Sequence, residues 1–213
     1  MGLTMMDEIG EIIAQGIDPR DCEDDLRARY GRTCAVLVID SSGFTSTTRE
    51  CGIMYVLGKL QQMREAIIPV LKKHQCITYI TEADSFIALF PSVTLAFAAV
   101  LESAQDVCDR KIMFTPERPY GIEAGIGYGS LLVTGGHGEF FGPEMNLASK
   151  LGEDTAQANQ LLITDAAHAA LPDSQKKLFR RGAEIISGND INYHALAMED
   201  HYGLLPCAVA APN

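Results

Sequence analysis

Ala35-Val36-Leu37-Val38-Ile39-Asp40-Ser41-Ser42-Gly43-Phe44-Thr45 is an apolar run that stops at a carboxylate, followed by two small polar residues and a glycine. A short run rich in β-branched residues and bounded by turn residues predicts a buried strand, with Asp40 at its C-terminal end. Ser41 to Thr45 then turn the chain into a helix whose first amides are free. Such amides, beside a carboxylate that can hold a divalent cation, make a seat for a metal-bound polyphosphate. The same residues also suit an ordinary strand end with an acidic helix cap. This stretch alone leaves both readings open.

Downstream of it, Thr45 to His74 carries apolar residues at helical spacing, including Val56, Leu60, Met63, Ile67 and Leu71, with Pro69 near its last turn. Cys76–Thr81 and Ser85–Phe90 read as two strands of a hairpin with Asp84 at its turn. A helix from Pro91 and Ser92 to about Cys108 follows, then a polar loop from Lys111 to Pro119. Tyr120–Gly129 and Ser130–Thr134 read as a second hairpin, its glycines letting backbones approach closely. Those glycines are not a dinucleotide fingerprint, because another strand and not a helix is expected next. A loop from Gly135 to Gly142 precedes a helix expected from Pro143 to Gln157. Leu161–Thr164 is a short strand, Asp165–Leu171 a short helix, and Lys176 to Met198 a final hairpin. The order β-α-β-β-α-β with additions predicts an α+β, ferredoxin-like domain with extra C-terminal strands, spanning residues 32–213. Residues 1–31 read as a helical N-terminal extension, either a solvated arm or an element for dimerisation or coupling to a partner.

The chain has 213 residues, 47% hydrophobic and 21% charged, the balance of a globular domain. Its net charge of −11 argues against nucleic acid and anionic membrane as partners. It also requires any triphosphate site to carry its own positive charge or metal. The six cysteines, scattered without CxxC spacing and mostly inside apolar runs, read as small core residues. No apolar run approaches the ~20 residues of a membrane span. The first residues, Met1-Gly2-Leu3-Thr4, lack a basic region before an apolar one. Together these features predict a reduced, cytoplasmic protein.

Two carboxylates stand out: Asp40 at a strand end and Asp84 at a hairpin turn. In a ferredoxin-like sheet these two elements are neighbours. Acidic groups from adjacent strands can share one or two magnesium ions that clamp a triphosphate.

With these residues in place, the sequence resembles the catalytic domain of class III nucleotidyl cyclases, the adenylyl and guanylyl cyclases, from about Cys34 to Asp165. Asp40-Ser41-Ser42-Gly43-Phe44-Thr45 is similar to that family's metal and phosphate element, and Glu82-Ala83-Asp84-Ser85-Phe86 to its second-metal hairpin. Gly142-Pro143-Glu144-Met145-Asn146-Leu147-Ala148-Ser149-Lys150-Leu151 is similar to its transition-state helix. The resemblance implies Asp40, Asp84 and the Ser41 backbone as metal ligands, for two Mg²⁺ or Mn²⁺ ions per site. It implies Gly43, Phe44 and Thr45 as the substrate-binding loop, with Asn146 and Lys150 as catalytic residues. It also implies a nucleoside triphosphate substrate, a 3′,5′-cyclic product with pyrophosphate, and a homodimer with its sites at the interface.

This chain departs from the pattern where the base is read. Ile80 stands where adenine-binding members carry lysine, and Glu139 matches the partner base-reading position. Lys150 replaces the usual arginine, keeping the charge but losing the bidentate fork. Adenylyl cyclase is the default expectation. The alternatives are a pyrimidine cyclase making cyclic CMP or UMP, as in small phage-defence cyclases, and a catalytically silent cyclase-homology regulator. A ferredoxin-like small-molecule sensor would not need both carboxylates.

Overall fold

The computed structural model describes residues 4–134, 140–186 and 189–199. Helix α1 (Met5–Ala14), a 3₁₀ turn (Pro19–Cys22) and α2 (Glu23–Tyr30) lead into β1 (Gly31–Ser41). Then come α3 (Phe44–Cys51), α4 (Ile53–Lys73), the hairpin β2 (Thr78–Glu82) and β3 (Ser85–Phe90), and α5 (Val93–Asp109). Short strands β4 (Met113–Thr115) and β5 (Arg118–Pro119) precede β6 (Ile122–Val133) and β7 (Phe140–Phe141). Helix α6 (Pro143–Ser149) runs into a π-helical turn (Lys150–Thr155), followed by β8 (Gln160–Thr164), α7 (Asp165–Ala170) and α8 (Asp173–Lys176). A hairpin of β9 (Arg180–Ile186) and β10 (Asn189–Ala197) completes the described chain.

The sheet has the order β2-β3-β1-β6-β8-β10-β9, with β7 beside β6. Its first four strands are mutually antiparallel neighbours, the ferredoxin-like arrangement expected from the element order. The extra C-terminal strands extend it: β8 runs parallel to β6, and the β9–β10 hairpin adds to β8.

Period-two alternation sorts the strand residues onto two faces. Ala35, Leu37 and Ile39 of β1, Phe86, Ala88 and Phe90 of β3, and Ile122, Ala124 and Ile126 of β6 join the main core beneath α4 and α5. Cys34, Val36 and Val38 of β1, with Ile87 and Leu89 of β3, form a second apolar layer with Ala148 of α6. At the N-terminus Met5 is buried, and Glu8 accepts a 2.9 Å hydrogen bond from Tyr30 and pairs with Arg29, tying α1 to the end of α2.

Four expectations need correction. The helix expected over Thr45–His74 is two helices, because Gly52 adopts φ +82° and breaks it. The loop expected over Lys111–Pro119 contains the small β4–β5 hairpin. The helix expected to reach Gln157 leaves α-geometry at Lys150 and ends at Thr155. Tyr120–Thr134 does not fold back as a hairpin: β6 is one 12-residue strand paired with β1 along all 11 residues of its partner.

The glycines of β6 explain the last point. They make a seat for a helix and not a turn. A Cβ on Gly125 would lie 2.1 Å from the Ala148 carbonyl oxygen and 2.7 Å from the Gly152 nitrogen, and one on Gly127 would lie 2.4 Å from the Glu144 carbonyl oxygen. Both clashes are with backbone, which cannot step aside cheaply. Gly125→Ala is therefore expected to cost about 2–4 kcal/mol and to lower Tm by about 5–10 °C. Gly58→Ala, on the exposed side of α4 with nothing near its Cβ, is the control, expected to gain about 0.5–1 kcal/mol. Thermal unfolding of the two variants checks both signs; an unchanged Tm for Gly125→Ala contradicts the helix-seat reading.

Candidate active site

On the α6 side of the sheet, three apolar or glycine stripes end in polar residues at the same edge. On β1 the stripe Cys34-Val36-Val38 ends in Asp40. On β3 Leu89 and Ile87 end in Ser85. On β6 Gly129, Gly127 and Gly125 end in Glu123. The register places Asp40 directly opposite Glu123 and Ile39 opposite Phe86, next to Ser85. The alternation that buries the apolar members therefore delivers the polar ones to one place.

The β2–β3 hairpin turns through Ala83 and Asp84, with Ala83 at φ +49°. Its side chains cross-link with β1. Ser85 Oγ donates to Asp40 Oδ1 at 3.0 Å, and Ser41 Oγ donates to Asp84 Oδ2. Each carboxylate is thus held by the hydroxyl beside the other. Burial, then the charge of Asp84, raises the pKa of Asp40. Burial, then Asp40 and Asp84, pushes Glu123 up to about 7. Glu153, brought in by the π-helical turn, is raised by burial and then by Asp40. The buried phenol of Tyr120, behind Ser41, is pushed well above its ordinary value, chiefly by burial.

These four carboxylates line an open cleft of about 540 Å³, together with Ser41 to Ser46 and Arg49. Beyond Ser42, whose N–H continues the ladder to the Gly121 carbonyl at 3.1 Å, Gly43 takes φ +99° and starts α3. Only glycine adopts that angle without strain. No side chain caps α3, so its first amides are left for solvent or a ligand. Phe44 points away and packs against the main core, while Thr45 is exposed at the cleft.

The sequence-derived candidates fall into separate places. Asp40, Ser41, Gly43, Phe44, Thr45 and Asp84 share the cleft. Asn146 and Lys150 do not line it. The Lys150 N–H bonds to the Asn146 carbonyl, so the two stand one turn apart at the end of α6, with Asn146 exposed. Ile80 packs against the second apolar layer, paired with Ile87 of β3. Glu139 lies outside the described residues. Glu123, Glu153 and Arg49 were not singled out from sequence. Only the β1–β6 register, which follows from β6 being one strand, reveals Glu123.

The donor set is all hard oxygen, the chemistry that suits Mg²⁺ or Mn²⁺. Asp40 and Glu123, raised by burial and then by the charge of neighbouring carboxylates, also mark a place where a cation is favoured. Among the described residues no three His, Cys, Asp or Glu side chains converge on one metal position. Asp40 and Asp84 would therefore act as a pair, with backbone carbonyls and ligand oxygens completing the shell. No helix among the described residues is long and apolar enough to cross a membrane.

No family model and no curated protein sequence matches this chain. Solved structures do. The guanylyl cyclase Cya2 is similar with a TM-score of 0.67 at 18% identity, over 78% of this chain and 92% of that one. An adenylate/guanylate cyclase/hydrolase from Silicibacter pomeroyi is similar with a TM-score of 0.65 at 22% identity, over 78% and 95% of the two chains. The guanylate cyclase domain of RhGC from Catenaria anguillulae, in complex with GTP, is similar with a TM-score of 0.63 at 13% identity, over 76% and 94%. Sheet order, helix placement and these likenesses agree: the chain has the fold of the class III nucleotidyl cyclase catalytic domain.

Proposed function

We propose that this chain is a nucleotidyl cyclase, converting a nucleoside triphosphate to its 3′,5′-cyclic monophosphate and pyrophosphate. The observation that carries the reading is the Asp40–Asp84 pair, cross-held by Ser85 and Ser41 beside the uncapped start of α3. A core-packing or sensor role gives no reason to bring two carboxylates together at a partly buried sheet edge.

The residues divide the work. Asp40 and Asp84, with the Ser41 backbone, hold Mg²⁺ or Mn²⁺, two ions per site. Bound there, such ions lower the pKa of the ribose 3′-hydroxyl and offset charge on the phosphates. Gly43, Phe44 and Thr45 offer backbone N–H groups to the phosphates at the start of α3. Asn146 orients the ribose and transition state, and Lys150 neutralises charge on the reacting phosphates. Asn146 and Lys150 do not line the cleft of their own chain. A second copy therefore supplies them, and the active species is a homodimer with two sites.

The base is read across an apolar wall. Ile80 packs against the second apolar layer and its side chain offers no hydrogen bond, so purine ring acceptors facing it go unpaired, a loss of roughly 1–3 kcal/mol when buried. Glu139, as an acceptor, suits an exocyclic amine. ATP and CTP are therefore expected to be preferred over GTP and UTP, with weak discrimination between the first two. Cyclic CMP production of the phage-defence kind thus remains an alternative product of the same site. Ile80→Lys is expected to raise the ATP-to-CTP ratio of kcat/KM by about tenfold. Steady-state kinetics with the four substrates checks this. A tenfold wild-type preference for GTP or UTP, or an unmoved ratio in Ile80→Lys, contradicts it. The apolar setting of Ile80 is also what favours the second reading, a silent regulator that binds nucleotide without turning it over.

A further inference from the structure

We propose that Arg118, outside the cleft, is the positioning residue that sets the phosphate-facing turn at Gly43. The inference rests on the cyclase reading for what that turn receives, and on the following geometry for Arg118 itself.

Arg118 projects from the β4–β5 hairpin towards the back of α3. One guanidinium nitrogen donates to Ser46 Oγ at 2.7 Å. The other donates to Thr47 Oγ1 at 3.1 Å and to Glu50 Oε2 at 3.0 Å. Both hydroxyls also reach the Gly43 carbonyl, Ser46 at 3.0 Å and Thr47 at 2.8 Å. A hydroxyl has a single proton, and a guanidinium only donates. Arg118 therefore forces Ser46 and Thr47 to spend their protons on Gly43. Two relays converge on the carbonyl of the residue whose φ of +99° turns the chain from β1 into α3. Thr47 is fully buried, so its relay is shielded from water.

The guanidinium lies in ordinary van der Waals range of the turn. A Cβ on Gly43 would sit 3.6 Å from an Arg118 guanidinium nitrogen and 3.6 Å from Ser46 Oγ. The Arg118 Nε is buried with no partner among the described residues. A buried unpaired donor costs free energy, and here it is tolerated where the other two nitrogens grip α3. Lysine cannot reproduce the grip, since its single nitrogen cannot span Ser46, Thr47 and Glu50 in one plane. The consequence is a preset turn: the amides following Gly43 keep one orientation towards the cleft, with no reordering left for phosphate binding to impose.

The test is calorimetric titration of the full chain with inorganic tripolyphosphate and Mn²⁺, a probe that carries no base and no ribose. R118K and R118A are expected to bind it about tenfold more weakly than wild type, with Tm within about 3 °C. In turnover, KM is expected to rise about as much while kcat changes less than threefold. Ser46→Ala combined with Thr47→Val should reproduce the loss, and adding R118A to that pair should add little. Equal tripolyphosphate affinity in wild type and R118K overturns the role of Arg118 and leaves the cyclase reading standing. So does a loss of kcat and Tm together with KM unmoved. If wild type itself does not bind tripolyphosphate, the phosphate seat and this inference fall together. If the affinity pattern holds but no triphosphate yields a cyclic product, the cyclase reading falls and the role of Arg118 stands.

Discussion

Asp40→Ala or Asp84→Ala is expected to lower cyclase turnover by at least about a thousandfold, since the metal-borne charge stabilisation they hold is worth several kcal/mol. Neither should unfold the protein. Both groups sit at a sheet edge, and removing one of two adjoining carboxylates relieves repulsion. The hydroxyl each releases, Ser85 for Asp40 and Ser41 for Asp84, keeps its backbone position, Ser41 paired with Ile122 of β6 and Ser85 with Glu82 of β2. Thermal unfolding supplies the second readout. Mn²⁺ is expected to raise the Tm of wild type by mass action on the folded state and to leave the two variants unmoved. Full activity of either variant at saturating metal contradicts the assignment, as does an equal Mn²⁺ shift in variant and wild type.

The second large effect concerns assembly. An Asp40→Ala chain and an Asn146→Ala chain, each inactive alone, are expected to regain activity when mixed. In a symmetric dimer whose sites take Asp40 from one chain and Asn146 from the other, every heterodimer has one intact site. Free exchange of equal amounts then restores about a quarter of the wild-type sites. The prediction follows from the separation of Asn146 and Lys150 from the cleft that holds Asp40 and Asp84. No recovery, with exchange shown by mass-tagged subunits, contradicts the shared site.

Much of this was legible from residue pattern. β1 announces itself because Ala35 to Ile39 is buried on both faces and so reads as a continuous apolar run. The β2–β3 hairpin is legible because Asp84 interrupts two short apolar strands. What sequence could not give was contact between distant elements. The alternating glycines of β6 read from sequence as close-approach sites, and they are; what the pattern does not name is the partner, the backbone of α6 and the turn after it, laid on Gly125 and Gly127. Glu123 is not marked by the sequence pattern; the register of the continuous β6 sets it opposite Asp40. Glu153 depends on the π-helical turn, which re-aims the residues after Ser149, and no pattern marks such a turn in advance. Arg118 lay in an expected loop, 71 residues from the Thr47 hydroxyl it grips. Gly52 lies just before the apolar positions that carry the helical spacing, and one positive φ there splits the expected helix in two.

The most direct measurement of the central claim is to incubate the purified chain with each of the four nucleoside triphosphates, with Mn²⁺ or Mg²⁺, and to resolve the products by liquid chromatography and mass spectrometry. A 3′,5′-cyclic monophosphate and pyrophosphate are expected in equal amounts, from ATP or CTP foremost, and lost in Asp40→Ala. No cyclic product from any of the four, from a protein that binds nucleotide and metal, would contradict the cyclase reading.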